Sequence, residues 1–194
     1  MAPTIDPAAD IRALVVDDEK EVADAYALRL REVCDTTTAY TGEAALDTVG
    51  SAEIDVVLLD RHMPGMSGDE VLERLRDREF GGRVIMVTAV DPGFKVIDMP
   101  FDDYLCKPVE REDLHAAIEH QRRVLAYETL GEYFRAESKR SVLAAEVPPE
   151  ERADRPEYTE LDDRVSQLRA RAERLLGEDR DPFDAFGRIG REEL

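Results

Sequence analysis

Positive charge and cysteine are both scarce in this 194-residue chain. Lys and Arg together number 26 against 45 Asp and Glu, a formal net charge of -19. Such a surface repels phosphate backbones, so direct nucleic-acid binding would need a local basic patch. The candidates, Arg122-Arg123 and Lys139-Arg140 with Arg135 nearby, are interleaved with acids, which favours intrahelical pairs over a DNA footprint. No helix-turn-helix is evident, so charge does not support DNA binding. Lys is scarce relative to Arg, and the acid excess suits a protein kept soluble in concentrated salt, where screening relieves self-repulsion. The alternative is an acidic protein from a low-salt cell. Cys34 and Cys106 have no CxxC partner and no metal-ligand spacing. Both are expected to be buried free thiols in a reducing cytosol. Residues 1–10 lack the basic start and apolar core of a signal peptide, and no apolar stretch is long enough to cross a bilayer. The expectation is a cytoplasmic protein without membrane contact.

What is present is an alternation of short apolar runs and amphipathic stretches. Leu14-Val15-Val16, Val56-Val57-Leu58-Leu59 and Val84-Ile85-Met86-Val87 are continuous runs, as strands covered on both faces should be. Val33 to Thr38, β-branched and rich in threonine, reads as a strand at or near an edge. Asp103 to Cys106 reads as a short fifth strand. Between them, Val22, Ala23, Tyr26, Ala27 and Leu30 recur at helical spacing. Thr41 caps a second helix without a full capping box, and Ser67 or Gly68 starts a third that carries Val71, Leu72 and Leu75. Pro92-Gly93 breaks the segment from Asp91 to Asp98, and Lys95 to Met99 can form only a short or frayed helix, expected to be mobile. A further helix follows Pro108 from Glu110. Strands alternating with helices through short connections predict an α/β fold with one doubly wound parallel sheet.

The apolar pattern after Pro108 continues without a proline towards Val142-Leu143. Pro148, Pro149 and Pro156 mark Glu146 to Tyr158 as a loop or hinge. Leu161, Val165, Leu168, Ala172 and Leu175 then recur at the spacing of a helix that packs on another helix. This predicts a C-terminal helical hairpin or coiled-coil extension, folded within the chain or serving as a dimer seam. The domains are placed at 11–122 and 123–186, with 1–10 and 187–194 as disordered tails. Phe183 and Phe186 are read as an anchor that packs back, or as part of the disordered end.

In a parallel sheet the carboxyl ends of all strands share one edge, which brings Asp17, Asp18, Asp60, Thr88 and Lys107 together. Clustered carboxylates do not stay ionised side by side without a cation. Mg2+, hard and compact, is the natural neutraliser. Asp18, Asp60 and the backbone carbonyl of His62 are its expected ligands, with Asp17 acting through a water. A carboxylate beside Mg2+ and a lysine is suited to attack phosphorus. Lys107, the Thr88 hydroxyl and the Ala89 amide would then pair with the phosphoryl oxygens, giving a transient aspartyl phosphate on Asp60. His115 and His120, with no ligand-spaced partner, are expected to be solvated.

Asp17-Asp18, Asp60 with Met63-Pro64-Gly65 and Gly68, Thr88-Ala89 and Lys107-Pro108 together resemble the receiver domain of two-component response regulators. Taken singly each is an ordinary polar or turn residue; in this order, at successive strand ends, they form a signature. The resemblance covers residues 11–122. It implies a flavodoxin-like strand order 2-1-3-4-5, a sensor histidine kinase as phosphoryl donor to Asp60, and Tyr104 as the aromatic that turns inward when Thr88 moves. It also implies a cis peptide before Pro108. His62 and Val90 take the positions that flank the approach of the hydrolytic water. The acidic chain with its helical tail is also similar to haloarchaeal response regulators carrying the HalX domain, which are labelled transcriptional regulators. Two alternatives stand beside a response regulator that controls transcription. One is an adaptor that dimerises or binds protein without touching DNA. The other is a Mg2+-dependent phosphohydrolase, for which Arg61 and His62 offer no convincing acid-base partner.

Overall fold

The computed structural model describes residues 11–89, 94–177 and 183, leaving the Lys95 side chain aside. The tails placed at 1–10 and 187–194, the expectations for Val90 and for Asp91 to Gly93, and that for Phe186 lie outside the described residues. The chain divides into two compact units between Arg122 and Arg123.

In the first unit, β1 (Arg12–Val16), α1 (Lys20–Leu30), β2 (Asp35–Ala39), α2 (Gly42–Ser51), β3 (Val56–Leu59), α3 (Gly68–Asp77), β4 (Arg83–Thr88), a 3-10 helix (Phe94–Asp98) and β5 (Asp103–Cys106) lead into α4 (Arg111–Glu146). The strands form one parallel sheet in the order β2-β1-β3-β4-β5. This is the doubly wound fold the apolar runs predict, with the order implied by the resemblance. β2 lies at an edge, as its threonines suggest.

Alternation along the buried strands sorts their side chains onto two faces. Ala13, Val15, Val56, Leu58, Ile85 and Val87 pack with Ala23, Tyr26 and Leu30 of α1 and with Leu114 and Ile118 of α4. Leu14, Val16, Val57, Leu59, Val84 and Met86 pack with Leu46 of α2 and with Val71, Leu72 and Leu75 of α3. Burying each such aliphatic side chain contributes roughly 1.5–3 kcal/mol. At the amino edge of the sheet, the buried Asp55 accepts from the Arg12 amide at 3.0 Å. Asp102 accepts there from the Val84 amide and from Arg76 Nη2, both at 2.6 Å.

One local detail is fixed by the structure and two differ from expectation. Ser67 opens α3 with a full capping box, its Oγ accepting from the Glu70 amide while Glu70 accepts from the Ser67 amide. Cys106 is exposed rather than buried, because it closes the edge strand β5. His115 is half-buried, its Nε2 lying 2.8 Å from the Arg29 carbonyl oxygen of α1, because the face of α4 that carries it lies against α1.

The second unit holds the later part of α4 with α5 (Pro149–Ala153) and α6 (Pro156–Leu176). The stretch expected as a loop is therefore largely helical. Pro149 and Pro156 stand in the first turns of their helices, where proline has no hydrogen bond to lose and its fixed φ suits the helix. Leu125, Ala126, Leu130, Tyr133 and Ala136 of α4 pack with Val165, Ala172, Leu175 and Leu176 of α6, and the Phe183 ring meets Tyr133 and Phe134 edge to face. Arg122 pairs with Glu119 and Arg140 with Glu137 within α4, as the interleaving predicts, while Arg140 also pairs with Asp162 of α6. Among the described residues no helix is long and apolar enough to cross a membrane.

Candidate functional site

The carboxyl edge of the sheet gathers residues that lie far apart in sequence. The Asp60 amide donates to the Val16 carbonyl at 2.8 Å, setting the end of β3 beside β1. The Lys107 amide donates to the Thr88 carbonyl, also at 2.8 Å, setting the end of β5 beside β4. The Lys107-Pro108 peptide is cis. Lys107 Nζ lies 2.6 Å from Asp17 Oδ2 and 2.7 Å from Asp60 Oδ1.

Both acids are buried and fully engaged. Asp17 is 2% exposed and Asp60 6% exposed. Asp17 Oδ1 accepts from the Glu19 amide at 3.0 Å, and Asp60 Oδ2 accepts from the His62 amide at 2.7 Å. Burial acts to lower the Lys107 pKa, but the hydrogen bonds and charges of Asp17 and Asp60 outweigh it and hold the ammonium above its ordinary value. Lys107 is thus a fixed cation between two anions.

The other sequence candidates surround this pair. Thr88 is fully buried at the end of β4 and Ala89 is exposed just beyond it. Asp18 is half-buried, whereas the His62 side chain is exposed. Met63 and Met66 bury their side chains within the α2 and α3 face of the sheet. Gly65, at φ +76°, makes the left-handed turn of the loop. At Gly68 a Cβ would stand 2.0 Å from the Asp60 carbonyl oxygen, so only glycine lets α3 begin this close to the site.

Reading the sequence weighed Arg61 only as an unconvincing acid-base partner. Its Nε lies 3.0 Å and 3.2 Å from the two carboxylate oxygens of Asp69, and its Nη2 3.1 Å from Asp69 Oδ2. Its charge also acts on the Tyr104 hydroxyl. Burial raises the Tyr104 pKa and Arg61 offsets this in part. The available signal was an arginine directly after the buried acid, followed eight residues later by an aspartate in the first turn of a helix.

The donors at this edge suit a hard cation. Asp17, Asp18, Asp60 and the His62 carbonyl all offer oxygen, the donor type Mg2+ prefers. Among the described residues no three His, Cys, Asp or Glu side chains form a ready metal cage. Between Asp17 and Asp60 the positive charge comes from Lys107.

Known proteins resemble this chain in both of its units. Residues 13–119 match the response regulator receiver domain and residues 123–188 match the HalX domain. A putative transcriptional regulator of Haloferax volcanii is 38% identical over 171 residues, covering 87% of this chain and 29% of that protein. The transcriptional regulatory protein CutR of Streptomyces coelicolor is 38% identical over 112 residues, covering 56% of this chain and 52% of that one. The chain thus spans about half the length of these relatives or less. The crystal structure of TrrA from Thermotoga maritima, in complex with Mg2+ and beryllofluoride, superposes with a TM-score of 0.52 at 31% identity, covering 57% of this chain and 98% of that one. Receivers are classed as phosphoacceptors rather than as turnover enzymes, which sets the phosphohydrolase alternative aside. The chain belongs to the response regulator receiver family and carries a HalX domain behind its receiver.

Proposed function

We propose that Asp60 is the phosphoacceptor of a two-component response regulator. Phosphorus passes from the histidine nitrogen of a sensor kinase to an Asp60 carboxylate oxygen, so a P–N bond breaks as the P–O bond forms. The observation that carries this reading is Lys107 Nζ between Asp17 Oδ2 at 2.6 Å and Asp60 Oδ1 at 2.7 Å, on the carboxyl edge of a receiver sheet. Asp17, Asp18, Asp60 and the His62 carbonyl would hold Mg2+, which when bound neutralises charge on the phosphoryl oxygens. Lys107 pairs with one phosphoryl oxygen, and the Thr88 hydroxyl and Ala89 amide donate to another. Thr88 and Tyr104 shift with the modification, as the family resemblance implies. That TrrA was solved with Mg2+ and beryllofluoride supports the same chemistry by likeness.

The output is transcriptional control through the HalX unit, in keeping with the names of the matched relatives. A net charge of -19 favours a second reading of that output, dimerisation or protein binding without DNA contact. The site reading is tested by intact-mass measurement after incubation with acetyl phosphate and Mg2+ in high salt. One added phosphoryl group is expected, absent in Asp60→Asn and absent without the metal. Addition that persists in Asp60→Asn would sink the assignment. Sedimentation with and without beryllofluoride separates the outputs. A mass increase lost in Asp60→Ala supports controlled self-association, and an unchanged mass with the mimic bound points to a heterologous partner.

A further inference from the structure

We infer that the last two turns of α4 pair antiparallel with the same two turns of a second copy of this chain. Among the described residues of the helical unit, the exposed large apolar side chains are Tyr127, Val142 and Leu143, and the last two are neighbours. Val142 is 61% exposed and Leu143 37%. Lys139, Val142, Leu143 and Glu146 follow one another at i, i+3, i+4 and i+7, so they share one stripe of the helix, and all four are exposed. The face that packs on α6 is a different one. It carries Tyr133 and Ala136, and Arg140 reaches from α4 to Asp162 of α6 at 3.0 Å.

This stripe is its own complement. A cation stands three residues before Val142 and an anion three residues after Leu143, symmetrically about the apolar pair. Turning a second copy end for end about that midpoint sets each Lys139 opposite the other copy's Glu146, and each Val142 against the other copy's Leu143. A parallel pairing would instead oppose like charges at both ends. Both charges are available for the contact. Among the described residues neither Lys139 nor Glu146 is ion-paired, whereas Glu132, Glu137 and Arg140 of the same helix are. Two turns of helix bury far less than the roughly 1,200–2,000 Å² of a stable interface, so the association is weak and depends on chain concentration.

The inference names the surface for the self-association offered above as an output, and it rests on that reading. Sedimentation equilibrium of the full chain with Mg2+ and beryllofluoride, at rising protein concentration in moderate and in concentrated salt, tests the two separately. The native chain should self-associate. Lys139→Glu and Glu146→Lys should each weaken association by about tenfold in moderate salt, because either reversal turns two attractions into two repulsions, and by less in concentrated salt. An equimolar mixture of the two variants should recover it, as should the Lys139→Glu/Glu146→Lys double variant, and recovery also shows that the variants fold. Leu143→Asp should abolish association at both salt levels. Association left unchanged by both reversals and by Leu143→Asp would overturn this surface while keeping self-association. Weakened single variants that do not recover on mixing would overturn the antiparallel pairing. A native chain that stays monomeric at every concentration, with the mimic bound, would overturn the self-association reading and this surface with it.

Discussion

At the residue scale the two cysteines separate cleanly by environment. Burial, followed by the nearby charges of Asp55 and Asp35, pushes the Cys34 thiol up to about 12. Cys106 is exposed. A thiol-reactive disulfide at mildly alkaline pH should therefore modify one cysteine per folded chain and two in denaturant, with Cys106→Ser removing the fast one. The sign for stability follows from the raised value. An unfolded chain ionises Cys34 from about pH 8.5, while the folded chain keeps it protonated. Its contribution is present below about 8.5 and is lost as pH rises towards about 12. Unfolding midpoints followed across that range should fall less steeply in Cys34→Ala. Sequence pattern could place both cysteines in apolar stretches, but exposure at an edge strand depends on which strands become neighbours. The partners of Arg61 escaped notice for a related reason. A charged side chain beside a site reads as solvated until the fold shows that Asp69 and Tyr104 stand within its reach.

At the element scale, elements with a strong local signal were legible and those set by special termini were not. The runs at Val56 to Leu59 and Val84 to Val87 declare buried strands because both faces need apolar cover. Pro149 and Pro156 read as breaks, yet each sits in a first turn, where its missing N–H costs nothing. The Ser67 and Glu70 box stands in the sequence as a Ser-x-x-Glu spacing just before Val71, a signal the reading of the sequence left unused. It fixes where α3 starts, and so where Gly68 meets the Asp60 carbonyl. Ser67→Ala should cost about 1 kcal/mol of stability, whereas Ser67→Gly should cost only a few tenths, read as shifts in urea midpoint at constant slope. An equal loss for both would remove the cap as the cause. Further along the sheet, the Tyr104 amide donates to Asp103 Oδ1 at 2.8 Å and Gln121 Nε2 donates to Asp103 Oδ2 at 3.1 Å. β5 is thereby bonded to α4 at the residue before Arg122, where the first unit ends.

At the scale of the whole molecule there are two kinds of core. The first unit is built on a sheet with apolar faces on both sides, the second on apolar stripes of helices alone. Leu175 is fully buried in the helical core. Leu175→Ala should cost about 2–5 kcal/mol there. Hydrogen exchange should show protection lost within residues 123–177 and kept at Val57 and Ile85. Loss of protection at the sheet as well would mean that the two units unfold as one.

The outer strands of the sheet bear on how this chain behaves among copies of itself. β2 and β5 are five and four residues long, and β2 turns Asp35 and Thr37 outward. A neighbouring chain that tried to extend the sheet would find few free backbone groups, a carboxylate at the margin of β2, and the Lys107-Pro108 bend directly after β5. Pairing of that kind is the first step of β-aggregation. Crowding at high protein concentration should therefore leave the sheet closed to strand addition.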